Sequence, residues 1–139
     1  MRFADANIFL RYLETPADDI ARRRNVDCTA LFERVESGEE ELTTSEVVLA
    51  EVFWVLTTKR HAGLPRPEAA EKLSAVVGFR GFRLPTKRRC LRALAMVHAD
   101  PRLSFVDALI ACTVTELGHR LVAYDSDFDR IDGVTREEP

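Results

Sequence analysis

Glu41-Leu42-Thr43-Thr44-Ser45-Glu46-Val47-Val48-Leu49-Ala50-Glu51-Val52-Phe53-Trp54-Val55-Leu56 holds the unit from which the fold is read. Glu41-Leu42-Thr43 reads as a short strand. Thr44 or Ser45 then offers a side-chain oxygen to cap a helix that runs to about Lys59. The unit recurs. Arg2-Phe3-Ala4 is a strand followed by Asp5 and a helix from Ala6 to Glu14, which Pro16 ends. Phe82-Arg83-Leu84 is a strand, and Pro85-Thr86 opens a helix from Lys87 to His98 that Asp100-Pro101 breaks. Leu121 to Tyr124 is a strand followed by Asp125 and a short helix from Ser126 to Arg130, with Val134 in a last edge strand. Further helices lie between these units. One runs from Asp19 to Ser37 with Gly38 as C-cap, one from Pro67 to Val77, and one from a Ser104 cap to Glu116 or Leu117, closed by Gly118. Strands alternating with helices imply a parallel sheet covered on both faces, whose ligands bind beyond the carboxyl ends of the strands.

The composition agrees. The 139 residues suit a single domain over 1–139, and 46% apolar with 31% charged residues is ordinary for a globular chain. No apolar run is long enough for a bilayer, and Met1-Arg2-Phe3-Ala4-Asp5 lacks a signal peptide's apolar stretch, so a cytoplasmic protein without membrane partners is expected. Cys28, Cys90 and Cys112 are odd in number and widely spaced, which speaks against a disulfide framework or zinc ribbon and for small buried side chains. His61, His98 and His119 form no ligand spacing. Net charge is −3, yet from Lys59 to Arg92 there are ten Lys and Arg against Glu68 and Glu71 alone, and Arg22-Arg23-Arg24 forms a second cluster. Such stretches can follow a phosphate backbone or simply solvate a helical surface.

Asp5, Glu51, Asp107 and Asp125 stand out. Asp5 and Asp125 directly follow strands, where an open α/β sheet places its site, although N-capping explains either one alone. Glu51 has Val47, Val48, Trp54 and Val55 as helical neighbours, so its carboxylate is expected amid an apolar face, where a charge needs a partner or a metal. Asp107 stands three residues after Ser104, a capping-box spacing, and heads a stripe of Ile110, Ala111, Val114 and Gly118. Carboxylates drawn from separate elements, without a Cys or His cluster, suit a hard ion such as Mg²⁺ or Mn²⁺.

At these residues the sequence resembles the PIN-domain family, and within it the VapC-type toxins of toxin–antitoxin pairs. The resemblance covers nearly the whole chain. It rests on Asp5-x-Asn7 after the first strand, Thr44-Ser45-x-x-x-Leu49-Ala50-Glu51-Val52, Phe105-Val106-Asp107-Ala108-Leu109-Ile110-Ala111, and Leu121-Val122-Ala123-Tyr124-Asp125-Ser126-Asp127-Phe128-Asp129-x-Ile131. It implies an α/β fold, a three-layer α/β/α sandwich around a short, mainly parallel sheet. Asp5, Glu51, Asp107 and Asp125 would correspond to the acidic site, with Asn7 and Ser45 as supporting positions. Asp127 is a supporting residue or the alternative fourth acid. Asp5 and Asp107 would be direct metal ligands, and Glu51 and Asp125 direct or through water. Arg22, Arg23, Arg24, Lys87, Arg88 and Arg89 are candidates for RNA contact. The implied activity is Mg²⁺- or Mn²⁺-dependent endoribonuclease cleavage by activated water. The implied partners are RNA, a VapB-type antitoxin and a second copy in a homodimer. Tyr124 departs from the pattern, standing where many relatives carry a smaller or basic residue, and Arg60 to Arg89 matches no family motif.

Two other readings compete. The scaffold can bind RNA or a protein without cutting. An aspartyl-phosphate phosphatase would use Asp5-Ala6-Asn7, but Asn7 stands where such enzymes place a second Asp, and Phe9 where they place Thr or Val.

Overall fold

The computed structural model describes residues 1–139. Strand β1 (Arg2–Phe3) leads into helix α1 (Ala6–Leu13), and α2 (Asp19–Ser37) returns alongside it. Strand β2 (Leu42–Thr43) leads into α3 (Glu46–Thr57), followed by α4 (Arg66–Gly78), α5 (Lys87–Ala99) and α6 (Phe105–Leu117). Strand β3 (Leu121–Val122), a 3-10 turn over Ser126–Arg130 and β4 (Arg136–Glu137) complete the chain. Four of the six α-helices begin at a capping side chain, whereas α4 and α5 have none. Ser45 Oγ accepts from Val48 N at 3.3 Å, and Asp18 Oδ1 accepts from Ala21 N at 2.7 Å. Gly38 and Gly118 close α2 and α6 in the left-handed region, at φ 83° and 66°.

The strands pair in parallel and helices cover them, giving a three-layer α/β/α sandwich with a short sheet. β1 pairs with β2 in the register Arg2↔Leu42 and Phe3↔Thr43, and β3 pairs with β4 as Leu121↔Arg136 and Val122↔Glu137. The sequence overstates strand length. Leu121–Tyr124 shortens to two residues, Phe82–Leu84 reduces to a single parallel bridge between Leu42 and Phe82, and the last strand begins after Val134. No ladder joins β1 or β2 to β3 or β4, so the sheet is two separate parallel pairs, and side-chain packing, mostly of the helices, supplies the core.

That packing centres on a cluster of 28 buried residues. Phe9 of α1 meets Phe32 of α2 at a ring separation of 5.5 Å and Phe82 at 6.0 Å, while Tyr12 stacks on Phe32 at 4.6 Å. Each fully buried phenylalanine contributes roughly 1.5–3 kcal/mol. Cys28, Cys90 and Cys112 are all free and buried, as small apolar residues are expected to be. Phe53 is core, packed on Phe105 at 5.3 Å, whereas Trp54 is 61% exposed and lies edge-on to His61. No helix is long and apolar enough to cross a membrane.

Candidate functional site

β1 and β2 run parallel with Phe3 opposite Thr43, so both chains leave the same edge together. Two hydrogen bonds fix that edge: Ala4 N donates to Thr43 O at 2.9 Å, and the Thr44 hydroxyl, the one polar side chain in the core, donates to Ala4 O at 2.8 Å. Asp5 and Ser45 follow as the N-caps of α1 and α3. Two helix N-termini, with their partial positive charge, therefore open beside each other at the carboxyl end of the strands. Asp5 Oδ1 accepts from Ile8 N at 3.2 Å. Capping occupies one lone pair and leaves the other oxygen for a ligand. Asn7 lies exposed in the first turn of α1.

On the other strand pair, Asp125 caps the 3-10 turn by accepting from Asp127 N at 2.9 Å. Asp125 and Asp127 share a small cleft of about 20 Å³ with Asp107 from α6, together with Arg102, Leu103, Phe128 and Arg130. Asp107 is decisive for the competing reading as a cap. Ser104 Oγ does accept from Asp107 N at 3.0 Å, but the Asp107 carboxylate makes no return bond to the Ser104 N–H. Half of the capping box is formed, and the acid's oxygens are left for something else.

Glu51 needs a correction. The sequence places its carboxylate amid an apolar face, and the helix does carry one, but that face is not the buried one. Leu49, Val52, Phe53 and Leu56 turn into the core, while Glu51 is exposed along with Val47 at 78% and Trp54. Its charge carries no burial penalty and does not by itself demand a cation. Asp107 is half-buried, and Asp5 and Asp125 are exposed.

None of Asp5, Glu51, Asp107 and Asp125 is in an ion pair, in contrast to Asp127, whose Oδ1 lies 3.7 Å from Arg130 Nε. As donors these oxygens fit a hard divalent cation in kind. The structure brings Asp107, Asp125 and Asp127 to one cleft and Asp5 and Ser45 to one edge, but no three acid, His or Cys side chains stand close enough to share an ion as arranged.

The basic candidates divide. Lys87 donates its ammonium to Phe79 O at 2.9 Å and Phe82 O at 3.2 Å, and burial, with Arg83 nearby, pushes its pKa down. Arg89 bonds Glu116 at 3.1 Å and Glu46 at 3.3 Å, tying α5 to the end of α6 and the start of α3. Both cations are engaged inside the protein. Arg22 pairs with Asp19, while Arg23, Arg24 and Arg88 are exposed.

Arg102 and Arg130 went unnoticed in the sequence. Arg102 lies two residues after Asp100, and Arg130 stands three residues after Asp127. Only the fold joins them, because Asp100 accepts from Arg102 Nε at 3.0 Å and from Arg130 Nη1 at 3.2 Å. The Arg102 guanidinium, then its backbone N–H, holds the Asp100 carboxyl down at about 2. Because the folded value is depressed, the stability Asp100 contributes is present above its ordinary 3.8 and lost as pH falls through about 2. Urea midpoints of wild type and Asp100→Asn are therefore expected to differ at neutral pH and to converge only near the bottom of that window. A gap that persists there would mean that Asp100 acts by something other than its charge.

The PIN domain family model matches residues 2–134, so the chain belongs to the PIN-domain family. PIN domains are generally metal-dependent nucleases, hydrolases of phosphodiester bonds. No curated protein sequence matches the chain.

Proposed function

We propose that this PIN domain is a divalent-metal-dependent endoribonuclease and the toxin of a VapBC-type toxin–antitoxin pair. The observation that carries the nuclease reading is the Asp107 carboxylate, bound to neither cap nor cation, in one cleft with Asp125 and Asp127. Asp5 and Asp107 would hold Mg²⁺ or Mn²⁺ directly, and Glu51 and Asp125 would hold it directly or through water. A bound divalent ion supplies activation of water at neutral pH and stabilisation of charge on phosphorus. The chain's own residues do the rest. Asp125 and Glu51 orient the attacking water through their carboxylate oxygens. The N-termini of α1 and α3 add positive potential at the edge where Asp5 stands. Ser45 and Asn7 support that edge, and Asp127, engaged by Arg130, supports the acid cleft.

RNA contact beyond the cleft falls to Arg88 and the Arg22–Arg24 cluster. A VapB-type antitoxin and a second copy of the chain are the protein partners of this reading. An apolar groove of about 400 Å³ between α3 and α6, lined by Val47, Ala50, Val106 and Ile110, offers surface for them. The cytoplasm is the corresponding location. The test is cleavage of a panel of structured RNAs with Mg²⁺ or Mn²⁺ and with EDTA, comparing wild type with Asp5→Asn. Cuts that need the ion and vanish in the variant are expected. Metal-independent cuts, or an equally active variant, overturn the site. RNA binding without cleavage favours the non-catalytic scaffold.

A further inference from the structure

We propose that Arg102 and Arg130, bracketed by Asp100, form the phosphate-backbone anchor of the acid cleft. This deepens the nuclease reading and rests on it for the identity of the ligand. Three observations carry it.

The first is position. Both arginines line the same cleft as Asp107, Asp125 and Asp127. Two guanidiniums against three carboxylates leave those lining residues at −1 rather than −3. A polyanion approaching bare carboxylates is repelled, and these two cations are the groups in the cleft that offset part of that repulsion and offer a positive point along its wall.

The second is construction. Asp100 Oδ1 accepts from Arg102 Nε at 3.0 Å and from Arg102 N at 3.1 Å. Its Oδ2 accepts from Arg102 Nη2 at 3.3 Å and from Arg130 Nη1 at 3.2 Å. Two like charges thus share one carboxylate, an arrangement that fixes both forks. A guanidinium has five N–H donors, so each keeps donors unused for phosphate oxygens. The Arg102 side chain is 77% exposed and that of Arg130 38%, so both are reachable from solvent. The remaining contact of Arg130, to Asp127, is a long 3.7 Å.

The third is that Arg102 and Arg130 are the cations that line this cleft, whereas the basic stretch singled out in the sequence lies elsewhere. Lys87 and Arg89 are held by carbonyls and carboxylates inside the protein, and Arg83 and Arg92 are paired with Glu41 and Glu116. None of these four lines the acid cleft.

The experiment measures binding of a fluorescently labelled, short, single-stranded RNA of mixed sequence in EDTA, across a salt series. It uses wild type, the double variant Arg102→Gln with Arg130→Gln, and Asp100→Asn. Glutamine removes the charge while keeping a polar amide, which at residue 102 stands where Arg102 Nε donates to Asp100. For single-stranded RNA each phosphate contact contributes about 0.7 to the slope of log K against log salt, so the double variant is expected to lose about 1.4. Should the double variant fail to fold, Arg102→Gln alone is expected to lose about 0.7. Asp100→Asn keeps both cations while loosening their forks, and is expected to lose less slope than the double variant. The proposal is overturned by a double variant with an unchanged slope, by an Asp100→Asn protein that loses as much slope as the double variant, or by wild type that binds no RNA. Failure of the nuclease reading looks different: the slope falls as expected, yet wild type cuts no RNA with either ion.

Discussion

Replacing Asp107 with Asn is expected to reduce metal-dependent RNA cleavage by about 100-fold or more, the range in which loss of one preorganised electrostatic contact falls. The same change is expected to leave the fold almost untouched, and the reason is local. The Asp107 carboxylate accepts no hydrogen bond and joins no ion pair, while the bond that caps α6 runs through its backbone N–H to Ser104 Oγ at 3.0 Å and survives the substitution. What remains is the favourable position of a negative charge in the first turn of a helix, about 0.3–1 kcal/mol. Activity and stability should therefore separate. Single-turnover cleavage with saturating Mn²⁺ and a thermal melt on the same preparation check both halves. An Asp107→Asn protein that melts like wild type and cuts like wild type would remove Asp107 from the chemistry. A protein that loses both together would make Asp107 a structural residue.

Gly81→Ala is expected to be the most damaging small substitution in the chain. Gly81 is threaded between the end of α2 and the start of β2: its N–H donates to Val35 O at 2.7 Å, and its own carbonyl accepts from Leu42 N at 3.0 Å. A Cβ there would lie 2.0 Å from Glu40 O and 2.8 Å from Val35 O. Both are backbone atoms, so no side chain can swing aside. Overpacking ordinarily costs 1–3 kcal/mol, and a clash with fixed carbonyls belongs at about 3 kcal/mol or beyond. For a chain of this size that lowers Tm by roughly 10 °C. Gly78, near the end of α4, has nothing within 4 Å of its would-be Cβ and makes the control. There alanine is expected to be neutral or to stabilise slightly, since it forms helix better than glycine. Equal melting temperatures for the two variants would refute the close approach at Gly81.

The sequence announces the caps and the strand–helix alternation because those depend on neighbours in the chain. Asp5, Ser45, Ser104 and Asp125 all cap the segments they precede, and Gly38 and Gly118 end theirs. Glu51 was misread for a different reason. α3 is apolar on two faces, and which of them is buried depends on where α1, α4 and α6 pack, a tertiary fact with no local mark. The basic stretch misleads in the same way. Lys87 and Arg89 look like surface cations until their partners arrive from Phe79, Glu46 and Glu116. The pairing of Arg130 with Asp100 spans 30 positions, beyond any local spacing rule. The three acids of the cleft come from α6 and from the turn after β3, so their meeting was legible only through the rule that sites form at strand ends.

Beneath that turn lies Arg136 of β4. Its guanidinium bonds Asp129 at 2.9 and 3.0 Å and the Ala123 carbonyl at 2.8 Å, and the neighbouring backbone pairs Thr135 with Leu121 and Glu137 with Ala123. The family match stops at residue 134, just short of this clasp. A fragment trimmed to the matched boundary would retain every candidate acid and still lose the fastening of the turn that presents Asp125 and Asp127. Where the domain is cut, and at which terminus a purification tag is fused, thus becomes a chemical variable. An inactive preparation ending at residue 134 would speak about its missing tail rather than about its acids.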